Sequence, residues 1–175
     1  MIPRLAFSAP WGRAIRIITP LTVILVLAVT LGLVAAAMFD PRTPRWALLL
    51  GLATCGGVLL IPGVFLVRGY RLEGGDQLVI LRPLYVTRVS LSGLHGAEAR
   101  PEAFKGMVLR VGNGGYGGFI GWFWNRSLGG FRAWVTDPER SVLLRFTDRQ
   151  VMISPDDPAA FIAALEWLRG GRSAR

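Results

Sequence analysis

Two stretches without polar punctuation dominate the first part of the chain. Ile17 to Phe39 (23 residues) and Trp46 to Val67 (22 residues) carry no formal charge and are rich in Leu, Val, Ile and Ala. A helix rises about 1.5 Å per residue and a bilayer's hydrocarbon core is roughly 30 Å thick, so about 20 apolar residues make one crossing. Both stretches pass that test, and a small soluble domain cannot enclose two helices that are apolar on every side. The first stretch follows Arg4, Arg13 and Arg16 and contains Ala35-Ala36-Ala37, as a cleaved signal peptide would. Signal h-regions, however, span only about 7–15 residues. A second run also follows at once, after Asp40-Pro41-Arg42-Thr43-Pro44-Arg45. The pattern predicts a membrane hairpin over residues 1–67, its helices at about 17–39 and 46–67, and a separate domain over 68–175.

Beyond Val67 the pattern changes to short alternating segments with Gly between them, the mark of strands and turns. Tyr70-Arg71-Leu72 and Gln77–Leu81 flank Glu73-Gly74-Gly75-Asp76 and read as a hairpin. Tyr85, Thr87, Val89 and Leu91 share one face of the next strand by period-2 spacing. Further strands are predicted at Met107–Val111, Phe131–Val135, Ser141–Phe146 and Gln150–Ile153. The last element is a helix. Ser154 with Pro155, or equally Asp157 with Pro158, can start it, and Asp156 and Asp157 favour the positive end of its dipole. Phe161, Ile162, Leu165 and Leu168 form its apolar stripe, and Gly170-Gly171 is expected to close it. About six or seven strands followed by one amphipathic helix is the order of a bent antiparallel sandwich capped by its C-terminal helix, an α+β, mostly β fold.

Charge orients the hairpin. Cytoplasmic flanks collect Lys and Arg, and Arg4, Arg13 and Arg16 precede the first span while Arg68, Arg71, Arg82 and Arg88 follow the second. The turn between them holds only Arg42 and Arg45 beside Asp40. Both termini and the domain are therefore expected on the cytoplasmic side of the inner membrane. The formal net charge is +9, of which residues 68–175 carry +5 from fifteen basic and ten acidic residues. Such a domain is attracted to an anionic leaflet. Nucleic acid is not an expected partner, because the charges are scattered and no nucleic-acid motif is present.

Four stretches carry a family resemblance: Tyr70-Arg71-Leu72 with Leu78-Val79-Ile80, the glycine-rich Gly112–Phe119, the strand Gly130–Asp137, and Ile153-Ser154-Pro155-Asp156-Asp157-Pro158 with Phe161. In these the chain resembles the bacterial pleckstrin-homology (PH)-like domain family, in its membrane-anchored members with two N-terminal membrane helices. The resemblance covers roughly residues 68–168 and implies a PH-like fold and a membrane setting.

Few residues suggest chemistry. His95 is the only histidine and Cys55 the only cysteine, so neither a metal cluster nor a disulfide framework is available. Asp156 and Asp157 are accounted for by capping, Asp137, Glu139 and Asp148 by turns, and Ser154 has no nucleophile-elbow context. No enzyme and no cofactor is expected. Gly112 to Gly121 holds six glycines in ten residues. It reads as an irregular loop between strands or as a cradle for a phosphate, though without the closing Gly-Lys-Ser/Thr of a P-loop. Phe119, Trp122, Phe123, Trp124 and Phe131 surround it, with Arg126 and Arg132 close by. Aromatic rings beside Arg suit the headgroup level of a bilayer, and small β domains also bury such rings. The candidate binding residues are Gly114, Gly115, Tyr116, Trp122, Phe123, Trp124, Arg126 and Arg132.

The function this supports is a membrane-anchored, non-catalytic interaction module at the cytoplasmic face, binding lipid head groups, a peptide or another copy of itself. One alternative is a subunit of a larger membrane complex assembled through its helices, where Gly51, Ala53, Gly56 and Gly57 permit close approach. Another is a membrane-bound enzyme acting on lipid or cell-wall precursors. That alternative lacks a polar cluster at the membrane boundary.

Overall fold

A computed structural model describes residues 5–39, 44–74 and 76–173. The expected turn between the helices, at 40–43, lies outside these, as does Gly75 of the first hairpin. In chain order the elements are β1 (Ala6–Ser8), α1 (Arg13–Phe39), α2 (Arg45–Val64), β2 (Gly69–Glu73), β3 (Gln77–Leu81), β4 (Val86–Ser90), β5 (Leu94–Ala99), β6 (Val108–Gly114), β7 (Phe119–Asn125), β8 (Gly129–Val135), β9 (Val142–Phe146), β10 (Gln150–Ile153) and α3 (Pro158–Ser173). Short 3-10 turns at Pro101–Phe104 and Pro138–Arg140 join β5 to β6 and β8 to β9.

The strands form two sheets, ordered β1-β2-β3-β4 and β5-β9-β10-β8-β7-β6. β10 lies between β9 and β8 and runs parallel to β8, so the sandwich is mixed; the other described pairings are antiparallel. The main core fills the space between the sheets. Tyr70, Leu78 and Ile80 meet Leu144, Val151 and Ile153 there, under Phe161, Ala164 and Leu165 of α3. The expected stripe of α3 thus points inward at Phe161 and Leu165, with Ile162 and Leu168 at its margin. The helix starts at the second of the two candidate positions: Asp157 Oδ1 accepts from Ala160 N–H at 2.9 Å. It also runs through Gly170-Gly171 to Ser173 instead of ending there.

Ser154 has a different task. It is fully buried, and its Oγ accepts from the amides of Thr136 (2.8 Å) and Asp137 (3.2 Å). The hydroxyl of Tyr70 accepts from Ser154 N–H at 3.1 Å and donates to the carbonyl of Trp134 at 2.6 Å. One phenol therefore ties β2 of the small sheet to the ends of β8 and β10 of the large one. Burial pushes the Tyr70 phenol up to about 12 from its ordinary 10.0. The folded state holds this proton more tightly than the unfolded state. Stability is whole below about pH 10 and declines as pH rises toward about 12, by on the order of 2–3 kcal/mol. Alkaline denaturation of the parent should therefore steepen in that window, and Tyr70→Phe should flatten it. Equal slopes for the two proteins would disprove the assignment.

Residues 5–9, which the sequence groups with the membrane hairpin, are bonded to the domain. β1 pairs with β2, and the bonds continue beyond it: Leu72 N–H to Leu5 O at 2.8 Å, Ala9 N–H to Arg68 O at 3.2 Å and Asp156 N–H to Ser8 O at 3.0 Å. Phe7 is buried and meets Phe161 edge-on, ring centroids 5.1 Å apart. The first turn of α1 sits in the domain as well. Ile15 is fully buried in a second core, on the outer face of the large sheet, with Phe119, Phe123, Phe131, Leu143 and Met152.

Both helices are long and apolar enough to cross a membrane, with mean hydropathies of 2.6 and 2.1. Each differs from its expected range at the end nearest the domain. α1 begins at Arg13 because its first turn is domain core. α2 stops at Val64, and Leu66 and Val67 turn into the domain, where Val67 is buried. Gly51 brings the two helices together, since a Cβ there would lie 2.7 Å from Leu33 Cδ1; Gly56 faces open space.

Candidate functional site

β4 and β6 each form one edge of their sheets, and they do not pair with each other. The opening between them is a groove of about 490 Å³, walled at one end by Ile61, Pro62 and Phe65 at the close of α2. Such a volume suits a small ligand. Strand alternation decides what faces it. On β4 and its approach, Val89 and Leu91 reach the core, while Tyr85 and Thr87 on the same face fall beyond it and line the groove. On β8, Phe131, Ala133 and Val135 point into the second core, and Arg132 and Trp134 point into the groove. Across from them Trp122 of β7 is the register partner of Arg132.

Two guanidinium groups converge here. Arg132 stands 4.6 Å from the Trp134 ring and 5.6 Å from the Trp122 ring. Arg82, in the loop from β3 to β4, lies 5.0 Å from the Tyr85 ring and 5.8 Å from that of Phe65. Its Nη1 donates to Tyr85 Oη at 2.9 Å and to the Phe65 carbonyl at 3.1 Å, while its Nε is buried without a hydrogen-bond partner. Burial lowers the Arg82 pKa; Tyr85 opposes this and the charge of Arg132 adds to it. Arginine stays protonated at neutral pH regardless. Among the described residues neither Arg82 nor Arg132 forms an ion pair with a carboxylate. Two like charges beside an apolar wall repel each other, and an anion between them would relieve that repulsion while accepting charge-assisted hydrogen bonds.

The residues singled out from sequence separate into four places. Trp122, 47% exposed, and Arg132 belong to the groove, and Trp124, 36% exposed, shares the outward face of β7. Phe123 points the opposite way: at 1% exposure it stacks on Phe131, centroids 6.0 Å apart, in the second core. These three aromatics thus sit on a strand and not on a projecting loop, and period 2 divides them. Arg126 is exposed in the turn after β7, at the far end of that strand from the glycine-rich turn.

Gly114 ends β6, paired with Phe119, and Gly115 and Tyr116 begin that turn, which docks against the helices. Gly117 N–H donates to Thr19 Oγ1 at 2.9 Å, and Tyr116 Oη donates to the Leu59 carbonyl at 3.3 Å. A Cβ on Gly117, whose φ is +68°, would lie 1.9 Å from Leu66 Cδ2. Gly112 and Gly121 answer a second need. They oppose each other across β6 and β7, and a Cβ on either would come within 2.2 Å of a carbonyl oxygen on the neighbouring strand. The glycine-rich segment is therefore strand pairing plus a seat against the two apolar helices.

Arg82, Tyr85, Phe65 and Trp134 were not anticipated as site residues. Arg82 lies 50 positions from Arg132, and no local pattern joins them. The available signal was Arg82-Pro83 directly after the apolar strand Leu78–Leu81, a charge placed where the strand leaves the core. His95, expected in a loop, is on β5, where its Nε2 lies 2.8 Å from Thr147 Oγ1. Among the described residues no group of three or more His, Cys, Asp or Glu side chains is placed to hold a metal ion.

Comparison with known proteins adds one positive finding. The model of the bacterial PH domain family matches residues 68–168. No curated protein and no solved structure matches the chain. The family match spans more than half of the sequence and coincides with the sandwich and its capping helix, from β2 to the last turns of α3. The chain belongs to the bacterial PH domain family.

Proposed function

We propose that the protein is a membrane-anchored, non-catalytic interaction module whose PH-like domain sits on the cytoplasmic face of the inner membrane. There it binds an anionic group in the groove between Arg82 and Arg132. One observation carries this reading: two arginines that have no carboxylate partner among the described residues meet in an aromatic-lined groove whose wall is the end of a candidate membrane helix. Three further points support it. PH domains are generally interaction modules. The anchor raises the effective concentration of any surface ligand, so weak contacts suffice. The arginine bias of the flanks favours the cytoplasmic side, and because β1 pairs with β2, the chain before α1 and the chain after α2 meet on one side of any bilayer the hairpin crosses.

The full chain in nanodiscs of phosphatidylcholine, with and without phosphatidylglycerol, tests the binding. A ligand that favours the folded state raises the melting temperature by mass action. The anionic lipid should stabilise the parent protein, less so in high salt, and Arg132→Gln should abolish the difference. Equal melting in both lipids would remove the reading. For orientation, a reporter active only in the cytoplasm should work when fused after Arg175, and silence there would reverse the assignment.

A further inference from the structure

We infer that the occupant of this groove is one intact acidic phospholipid, held by its chain as well as its phosphate. This rests on the groove reading and adds the source and pose of the ligand. The groove is not closed on the membrane side. Ile61 and Pro62, which wall it, also end an apolar furrow that runs along α2 past Val58, Gly57, Thr54 and Ala53. The Thr54 hydroxyl is occupied by the Leu50 carbonyl at 2.8 Å, so the furrow offers no free polar group. Ala53, Gly57 and Ile61 are spaced by four and make one row. A Cβ on Gly57 would touch only Ile61 of the same helix, at 3.6 Å, so the row is uncovered. From Ala53 to Pro62 the helix rises about 13 Å, close to the hydrocarbon depth of a single leaflet, about 15 Å.

The order of chemistry along this path matches that of a lipid. Bare apolar helix comes first, for an acyl chain. The Phe65 and Tyr85 rings follow, 6.2 Å apart and edge to face, at the level where aromatic residues meet the membrane interface. Arg82 and Arg132 come next, for a phosphate, with Arg82 Nε buried and unpartnered. Beyond Arg132 and Trp122 a second hollow continues to Arg88 and Ser90, where a headgroup substituent would lie. A soluble anion could use only the arginines, whereas a lipid uses the whole path.

Native mass spectrometry of the full chain, released from neutral detergent micelles with equimolar dioleoylphosphatidylglycerol and dioleoylphosphatidylcholine, tests this. One phosphatidylglycerol should remain bound in preference to phosphatidylcholine. Arg132→Gln should weaken its retention about tenfold, the scale of one charge-assisted contact. Gly57→Leu, which fills the furrow, should weaken retention of the lipid by a similar factor while leaving the binding of soluble glycerol phosphate unchanged. Arg132 is exposed and a side chain at position 57 meets only Ile61, so unchanged melting temperatures in neutral detergent would establish that the variants fold.

Three results would overturn the inference. If Gly57→Leu has no effect and glycerol phosphate displaces the lipid as well as a short-chain phosphatidylglycerol does, the groove takes a headgroup from any source; the anion-binding reading stands and the lipid pose falls. If neither Arg82→Gln nor Arg132→Gln changes the binding of either probe, both readings fall. If Gly57→Leu instead changes the number of protein copies per particle, the furrow is a contact between helices.

Discussion

Produced without its first 66 residues, the domain is expected to lose its cooperative thermal transition. The truncation removes Phe7 and Ile15, one from each core, together with the pairing of β1 to β2. Emptying a well-packed site costs about 3–5 kcal/mol for Phe and about 2–5 kcal/mol for an aliphatic residue. Their sum reaches the whole stability of an ordinary domain, about 5–15 kcal/mol. Circular dichroism across a temperature ramp reads the outcome. Adding a synthetic peptide of residues 5–16 should restore the transition, because that peptide carries both side chains and the edge strand. A domain that melts cooperatively without the peptide would show that β1 and Ile15 are ornaments on a complete core.

The second large effect is expected at Phe161. Its ring is fully buried at the point where α3, β1 and the small sheet meet, and Phe7 contacts it edge-on. Phe161→Ala should cost about 3–5 kcal/mol, read as a lowered melting temperature of the full chain in neutral detergent. The Phe7→Ala, Phe161→Ala double-mutant cycle should return a coupling of about 0.5–1.5 kcal/mol, as touching aromatic rings do. Additive losses would mean that the two rings stabilise the domain independently and that α3 does not depend on the N-terminal strand.

Much of this architecture is legible in the residues themselves. Two uninterrupted apolar runs are each long enough to cross a membrane, so both helices can be read directly. The stripe at Phe161 and Leu165 and the Gly74 turn between β2 and β3 are local patterns, and local patterns survive folding. The errors share a cause too. Leu66 and Val67 are as apolar as the residues before them, and hydropathy does not distinguish lipid from a protein interior, so the apolar run extends past the end of α2 at Val64. β1 is three residues long, and its partner strand lies more than sixty positions away across both helices. β7 was hidden because both of its faces carry aromatics, one face for the core and one for the groove, and alternation of polarity is the signal for a strand.

The candidate site was read in part. Trp122 and Arg132 are neighbours across two adjacent strands, near enough in sequence for their composition to suggest a pairing. Arg82 enters because the fold brings the loop from β3 to β4, strand β8 and the end of α2 to one groove. No window of the sequence contains all three.

The pairing of β1 with β2 has a consequence for how the protein is made. In a chain whose two helices cross the membrane, the strand synthesised first has no partner until the hairpin has gone in and come back to the same side. If only one helix crosses, the two strands are left on opposite sides of the bilayer and the sheet cannot form. The pairing of β1 with β2 therefore excludes a single crossing, because only an even number leaves both strands on one side.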